Sequence, residues 1–104
     1  MKIEILYITG CPNYSPSLAR LRKVLRQEGV SAELSEIEVK DDAAARALNF
    51  VGSPTIRVNG LDIEVESRDV SEPAFACRRY AGGAPSEAMI QGALREALGA
   101  VKHG

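Results

Sequence analysis

The first apolar run of the chain, Ile3, Ile5, Leu6, Tyr7 and Ile8, is nearly continuous in its later half. A strand covered on one face alternates, whereas one covered on both faces does not have to, so the run predicts an interior strand. Farther on, Leu18, Leu21, Val24 and Leu25 recur at helical spacing, with Ser17, Arg20, Lys23 and Gln27 on the opposite side and Gly29 ending the pattern. That is an amphipathic helix. Its start is open at this level, because Ser15-Pro16 is a good N-cap and first-turn pair that would begin it late. Residues 30–39, VSAELSEIEV, alternate, but the phase slips between Leu34 and Ile37. A bulge or an edge position accounts for such a slip.

Asp41 or Asp42 can cap the run from Ala43 to Leu48, a short segment of high helix propensity. Beyond it, NFVGSPTIRVNGLDIEVE predicts a hairpin: Ile56 and Val58 face one way, Asn59-Gly60 forms a two-residue turn, and Leu61, Ile63 and Val65 alternate back. Residues 66–85 carry turn signals at Ser71-Glu72-Pro73, Gly82-Gly83 and Ala84-Pro85. Ser86 then caps a last helix with the stripe Ile90, Ala93, Leu94, Ala97, Leu98 and Val101. The predicted order is β-α-β-α-β-β-α without repeat or linker, an α/β fold with a central mixed four-stranded sheet.

Composition narrows the setting. The 104 residues are one domain's worth of chain, so residues 1–104 are expected to form a single domain, and 45% apolar with 26% charged residues is ordinary for a globular protein. Thirteen basic against fourteen acidic residues leave a charge of −1, which gives no electrostatic case for nucleic acid or a membrane surface as partner. No stretch approaches the roughly 20 apolar residues of a membrane span, and Met1-Lys2-Ile3-Glu4 lacks the features of a signal peptide, so a cytoplasmic location is expected. Two cysteines, Cys11 and Cys77, are too few for a disulfide framework or a closed zinc site. In a reducing compartment they are free, catalytic or redox-sensing. His103, in the terminal tail, is given no role.

The chemistry concentrates in LYITGCPNYSP, residues 6–16, where an apolar strand ends in Thr9-Gly10 and Cys11 follows at once, ahead of a helix. Unpaired N–H groups at a helix N-terminus carry about half a positive charge and favour a thiolate over a thiol. Cys11 is therefore expected to be nucleophilic at neutral pH, against the plain alternative of a small buried hydrophobe.

With Cys11 between the first strand and the first helix, and Ser53-Pro54 directly before the third strand, the chain resembles the thioredoxin superfamily, as a small bacterial-type thioredoxin-like or glutaredoxin-like protein with a C-P-N-Y variant of the C-x-x-C motif. The likeness covers most of the chain in element order, but in detail only GCPNY at 10–14 and GSPTIRVNG at 52–60. It implies that Cys11 is the attacking cysteine and that Pro54 is a cis-proline preceded by Ser53. Pro12, Ser53 and Pro54 would contact substrate. The departure is Tyr14, which stands where the second cysteine belongs, so the usual resolving thiol is missing. Tyr14 would shield the thiol or donate its hydroxyl to a leaving thiolate.

The hairpin returns the chain to the end of the sheet that holds Cys11, which makes Cys77 a candidate resolving cysteine, or equally a core residue between Phe75 and Tyr80. Arg78 and Arg79 are a solvated pair, or else favour thiolates and hold an anionic substrate such as glutathione. The expected activity is thiol–disulfide exchange by Cys11, with a protein or low-molecular-weight thiol or disulfide as partner and no cofactor. Two alternatives stand beside it. Paired thiolates select soft ions, and GSPTIRVNG is similar to strings in companions of organomercury-resistance enzymes, which implies thiol-based handling of a metal such as mercury. The other is an interaction module that kept the fold and lost exchange.

Overall fold

The structure, a computed structural model, describes residues 1–64, 68, 73, 75, 76 and 84–99, together with the helical backbone of 100–103. Its elements are β1 (Lys2–Tyr7), α1 (Tyr14–Glu28), β2 (Glu33–Glu38), α2 (Asp42–Ala47), β3 (Thr55–Val58), β4 (Leu61–Asp62) and α3 (Glu87–His103), in the order the pattern predicts. The four strands form one mixed sheet in the order β2-β1-β3-β4. β1 runs parallel to β2 and antiparallel to β3, which pairs antiparallel with β4. The chain is thus α/β, with three helices and a single four-stranded sheet among the described residues.

Why β1 need not alternate follows from what covers it. Ile3 and Ile5 face a core built with Leu21 and Val24 of α1, Ile56 and Val58 of β3, and Ile90 and Leu94 of α3. Leu6 turns to the opposite face, where Val39, Ala45 of α2 and Phe50 enclose it. Each face of β1 therefore buries its own apolar set, and the expected interior strand is the observed one.

The slip in β2 has the same cause. Leu34 packs on the first core and Ile37 on the second, so residues three apart point to opposite faces as strand geometry requires. The register with β1 runs unbroken from Lys2↔Glu33 to Tyr7↔Glu38, so there is no bulge. Of the two expected explanations, the edge position is the one found: β2 lies at one end of the sheet.

Helix ends follow local chemistry. The Asp41 side chain accepts from the Ala44 N–H at 2.8 Å and starts α2. The Ser86 hydroxyl accepts from the Met89 N–H at 3.1 Å ahead of α3. At the far end of α1, Gly29 adopts φ 63° while Val30 N–H reaches back to Leu25 C=O at 3.1 Å, a Schellman closure. One position departs from the amphipathic pattern: Ser17, expected on the polar side, is buried. Its hydroxyl donates to the Asn13 carbonyl one turn back at 2.5 Å, which satisfies it without solvent.

The hairpin turn is as predicted, with Asn59 at φ 52° and Gly60 at φ 84°, both in the left-handed region that a two-residue turn needs. The returning strand is shorter than predicted. β4 holds only Leu61 and Asp62, because the Asp62 carboxylate takes the Glu64 N–H at 2.8 Å and bends the chain out of the ladder. Arg68 Nε donates to the Asp62 carbonyl at 2.7 Å and holds that bend. Ile63 still returns to the core, whereas Leu61 stays 51% exposed at the sheet edge. Val65 lies outside the described residues.

This division between faces predicts the cost of substitution. Ile5→Ala empties a site closed on the central strand and should lose about 3 kcal/mol in urea unfolding, as buried aliphatic truncations do. Leu61→Ala should lose less than about 1 kcal/mol, since its side chain is half in water.

Candidate functional site

Cys11 lies where β1 has ended and α1 has not begun. Its N–H donates to the Ile8 carbonyl at 3.1 Å, and its carbonyl accepts from the Tyr14 N–H at 3.2 Å. Two successive tight turns therefore carry the chain from strand to helix with Cys11 at their junction. Gly10 makes the first possible, at φ 88°, a backbone shape that side chains resist. The helix begins at Tyr14 with Asn13 as N-cap, earlier than Ser15-Pro16 would have it, and Asn13 makes no side-chain capping bond. Pro16 is accommodated within the first turn, where no N–H partner is needed. Cys11 thus sits two residues ahead of the N-cap, half-buried.

Opposite the thiol is Ser53. The Ser53–Pro54 peptide is cis, as expected, and the Cys11 Sγ lies 3.6 Å from the Ser53 carbonyl oxygen. Ser53 is fully buried, and its other polar groups are also used. The hydroxyl accepts from the Ile8 N–H at 2.9 Å, and the N–H donates to the Ala76 carbonyl at 2.8 Å. Three hydrogen bonds therefore close a ring: Ser53 Oγ to Ile8, Ile8 carbonyl to Cys11, and Cys11 Sγ back to Ser53. Pro54 is buried beside it, while Pro12 is exposed on the thiol turn.

Tyr14 is placed by two contacts that sequence reasoning did not foresee. Its ring stacks on Tyr7 with centroids 3.9 Å apart and planes 11° from parallel. Its hydroxyl donates to Glu36 on β2, which Arg22 also approaches at 3.7 Å. The hydroxyl expected to be available to a leaving thiolate is hydrogen-bonded to the edge strand. Partial burial, then the hydrogen bond to Glu36 and the negative charge of that carboxylate, push the Tyr14 phenol well above its ordinary range. A sequence signal for this exists in hindsight: Tyr7 faces the same side of β1 as Ile3 and Ile5, the side that α1 covers. Next to the cluster, the Thr9 hydroxyl donates to Glu38 at 2.6 Å and pins the other shoulder of the turn to β2.

Cys77, Arg78 and Arg79 lie outside the described residues. The chain immediately before them does not: Ala76 is the residue bonded to Ser53. Two grooves lie away from the thiol. One of about 320 Å³ is lined by Val58, Asn59, Leu61, Arg68, Ala93 and Ala97, and one of about 160 Å³ by Asn49, Val51, Arg57, Gly60 and Asp62 among others. The first adjoins Asn59, which bonds Lys2 at the opposite end of β1 from Cys11, so it does not belong to this site. Among the described residues no three His, Cys, Asp or Glu side chains converge to hold a metal ion, and no helix is long and apolar enough to cross a membrane.

No family model, curated protein or solved structure matches the chain.

The phenol gives a direct test of this geometry. In the folded chain Tyr14 keeps its proton at a pH where the unfolded chain has lost it. The stabilisation from this contact is therefore complete below the ordinary tyrosine value of 10.0 and declines as pH rises above it. Ultraviolet titration of wild type against Tyr14→Phe should show Tyr14 ionising above pH 10.0, and Glu36→Gln should bring that step down. A Tyr14 step at 10.0 or below in wild type means the Glu36 contact does not form in solution.

Proposed function

We propose that this chain is a thioredoxin-like thiol–disulfide exchange protein whose nucleophile is Cys11. The observation that carries the reading is the meeting of the Cys11 Sγ with the backbone of Ser53 at 3.6 Å, beside the Ser53–Pro54 peptide. The strand order β2-β1-β3-β4 supports it, since it brings the end of β1 and the start of β3 side by side. Thiol chemistry needs a sulfur that is held in place and reachable. Cys11 is half-buried, on a turn fixed by hydrogen bonds on both sides.

In the proposed cycle the Cys11 thiolate, its proton lost to solvent, attacks one sulfur of a substrate disulfide. A Cys11–substrate disulfide forms, the substrate S–S bond breaks, and the departing thiolate takes up a proton. A second thiol then attacks the mixed disulfide and frees the remaining half of the substrate. Two electrons pass to the substrate, and the two attacking thiols end as a disulfide.

Cys77 is proposed as that second thiol. Support comes from Ala76, whose carbonyl is bonded to the same residue that the Cys11 thiol touches. Successive Cα atoms lie about 3.8 Å apart, and a disulfide requires Cα atoms within about 7 Å. The anchoring of residue 76, next to Cys77 in the chain, favours such a bridge. Tyr14 takes no part as an acid in this scheme, because its hydroxyl is already given to Glu36.

Mild oxidation followed by peptide mapping tests the cycle. The expected product is an intramolecular Cys11–Cys77 disulfide in monomeric protein, while Cys77→Ser should accumulate mixed disulfides on Cys11. Unpaired cysteines in oxidised wild type would make the cycle monothiol, resolved by an external thiol. Should Cys11→Ser exchange with small disulfides as fast as wild type, Cys11 is not the nucleophile and the reading falls.

A further inference from the structure

Resting on the exchange chemistry proposed above, we propose a substrate class: Cys11 takes small disulfides and thiols that bring no main chain of their own, and extended polypeptide disulfides are disfavoured. A polypeptide that approaches a thiol at the end of a strand gains its affinity by adding as a further strand, through main-chain hydrogen bonds. That requires free donors and acceptors next to the thiol.

At Cys11 and at Ser53, the residue its thiol touches, the main-chain donors are taken. Ser53 N–H is given to Ala76 at 2.8 Å, and Cys11 N–H to Ile8 at 3.1 Å. Pro54 has no N–H to offer. The acceptors are engaged as well, Ser53 C=O by the Cys11 thiol at 3.6 Å and Cys11 C=O by Tyr14 N–H at 3.2 Å. A carbonyl keeps a second lone pair, but an added strand needs donors as well as acceptors, and neither Ser53, Pro54 nor Cys11 has an N–H left to give it. The chain's own residue 76 holds the place beside Ser53 that a substrate strand would occupy. Ser53, fully buried, has no second exposed edge to present.

A polypeptide that reaches the Sγ must push Ala76 aside, and where its own main chain does not align with Ser53 the bond to Ala76 is forfeited without replacement. A small disulfide needs only a path to the Sγ. The reaction is the same for both: the Cys11–S bond to one substrate sulfur forms, the substrate S–S bond breaks, and the released thiolate is protonated.

The first half-reaction of full-length Cys77→Ser protein, followed by intact mass, separates the two classes. The probes are bis(2-hydroxyethyl) disulfide and an unstructured single-cysteine peptide held as its mixed disulfide with 2-mercaptoethanol. Each rate constant is divided by that of free 2-mercaptoethanol with the same disulfide, which removes differences in leaving group. The normalised rate for the small disulfide should exceed that for the peptide by about tenfold, the equivalent of one main-chain hydrogen bond forfeited. Equal rates, or a faster peptide, overturn the proposal while the exchange reading stands. If neither probe outpaces the free thiol, the exchange reading fails and the substrate class with it. Amide hydrogen exchange supplies the second measurement: the Ser53 N–H should be protected at rest and remain so after modification by the small disulfide. A Ser53 amide that exchanges at the free rate in the resting protein shows no bridge to Ala76 and overturns the proposal.

Discussion

The hydrogen bond from Ile8 N–H to the Ser53 hydroxyl, 2.9 Å long and spanning 45 residues of chain, is the contact on which the organisation of the thiol end depends. It ties the point where β1 stops to the point where β3 is about to start. Ile8 uses its other main-chain group for the turn that ends at Cys11, and Ser53 uses its carbonyl for the Cys11 sulfur. A buried serine is tolerated here because each of its polar groups has a partner, which removes the penalty such a residue otherwise carries. The ring is small enough that moving any one member misplaces the others.

That ring has a rigid base in the two-sided burial of β1. Ile3 and Ile5 anchor one face under α1 and α3, and Leu6 anchors the other over Phe50 and α2. A strand held on both faces and paired on both edges has little freedom to shift in register. Its end, and hence the thiol turn, is fixed relative to β2 and β3. Tyr14 extends this fixation to the helix. Stacked on Tyr7 and bonded to Glu36, it fastens the first residue of α1 to both β1 and β2. Tyr14 therefore acts as a clasp between α1 and the sheet.

Ser53 and Ala76 connect this architecture to selectivity. Main-chain groups beside a thiol can serve a ligand or serve the fold, and those of Ser53 and Cys11 serve the fold. The same bond that closes the site to an added strand also keeps residue 76 near the thiol. Stability of the thiol turn and the position of residue 76 are thus two consequences of one hydrogen-bonding pattern, on which the proposed choice of substrate also rests.

Much of this was legible in the residues alone. Apolar periodicity gave the order of elements, the interior position of β1 and the turn at Asn59-Gly60, because these depend on burial and local backbone preference that each segment carries by itself. The neighbourhood of Cys11 with Ser53-Pro54 was also anticipated, through element order and the family likeness together. The sequence left open whether β2 bulges or lies at an edge, and only the pairing of the strands, with β2 in unbroken register with β1 and at one end of the sheet, decides that. It placed Ser17 in water and β4 through Val65, since a serine bonding back one turn and an aspartate bending the chain look like ordinary polar residues until their partners are seen. It could not tell what Tyr14 does. A phenol's role is set by which carboxylate and which ring stand within reach, and Glu36 and Tyr7 are brought there by the pairing of β1 with β2, 22 residues away in the chain from Tyr14 to Glu36. Local pattern fixes what each segment becomes; hydrogen bonds between distant segments, which leave no trace in composition or spacing, decide what the site can do.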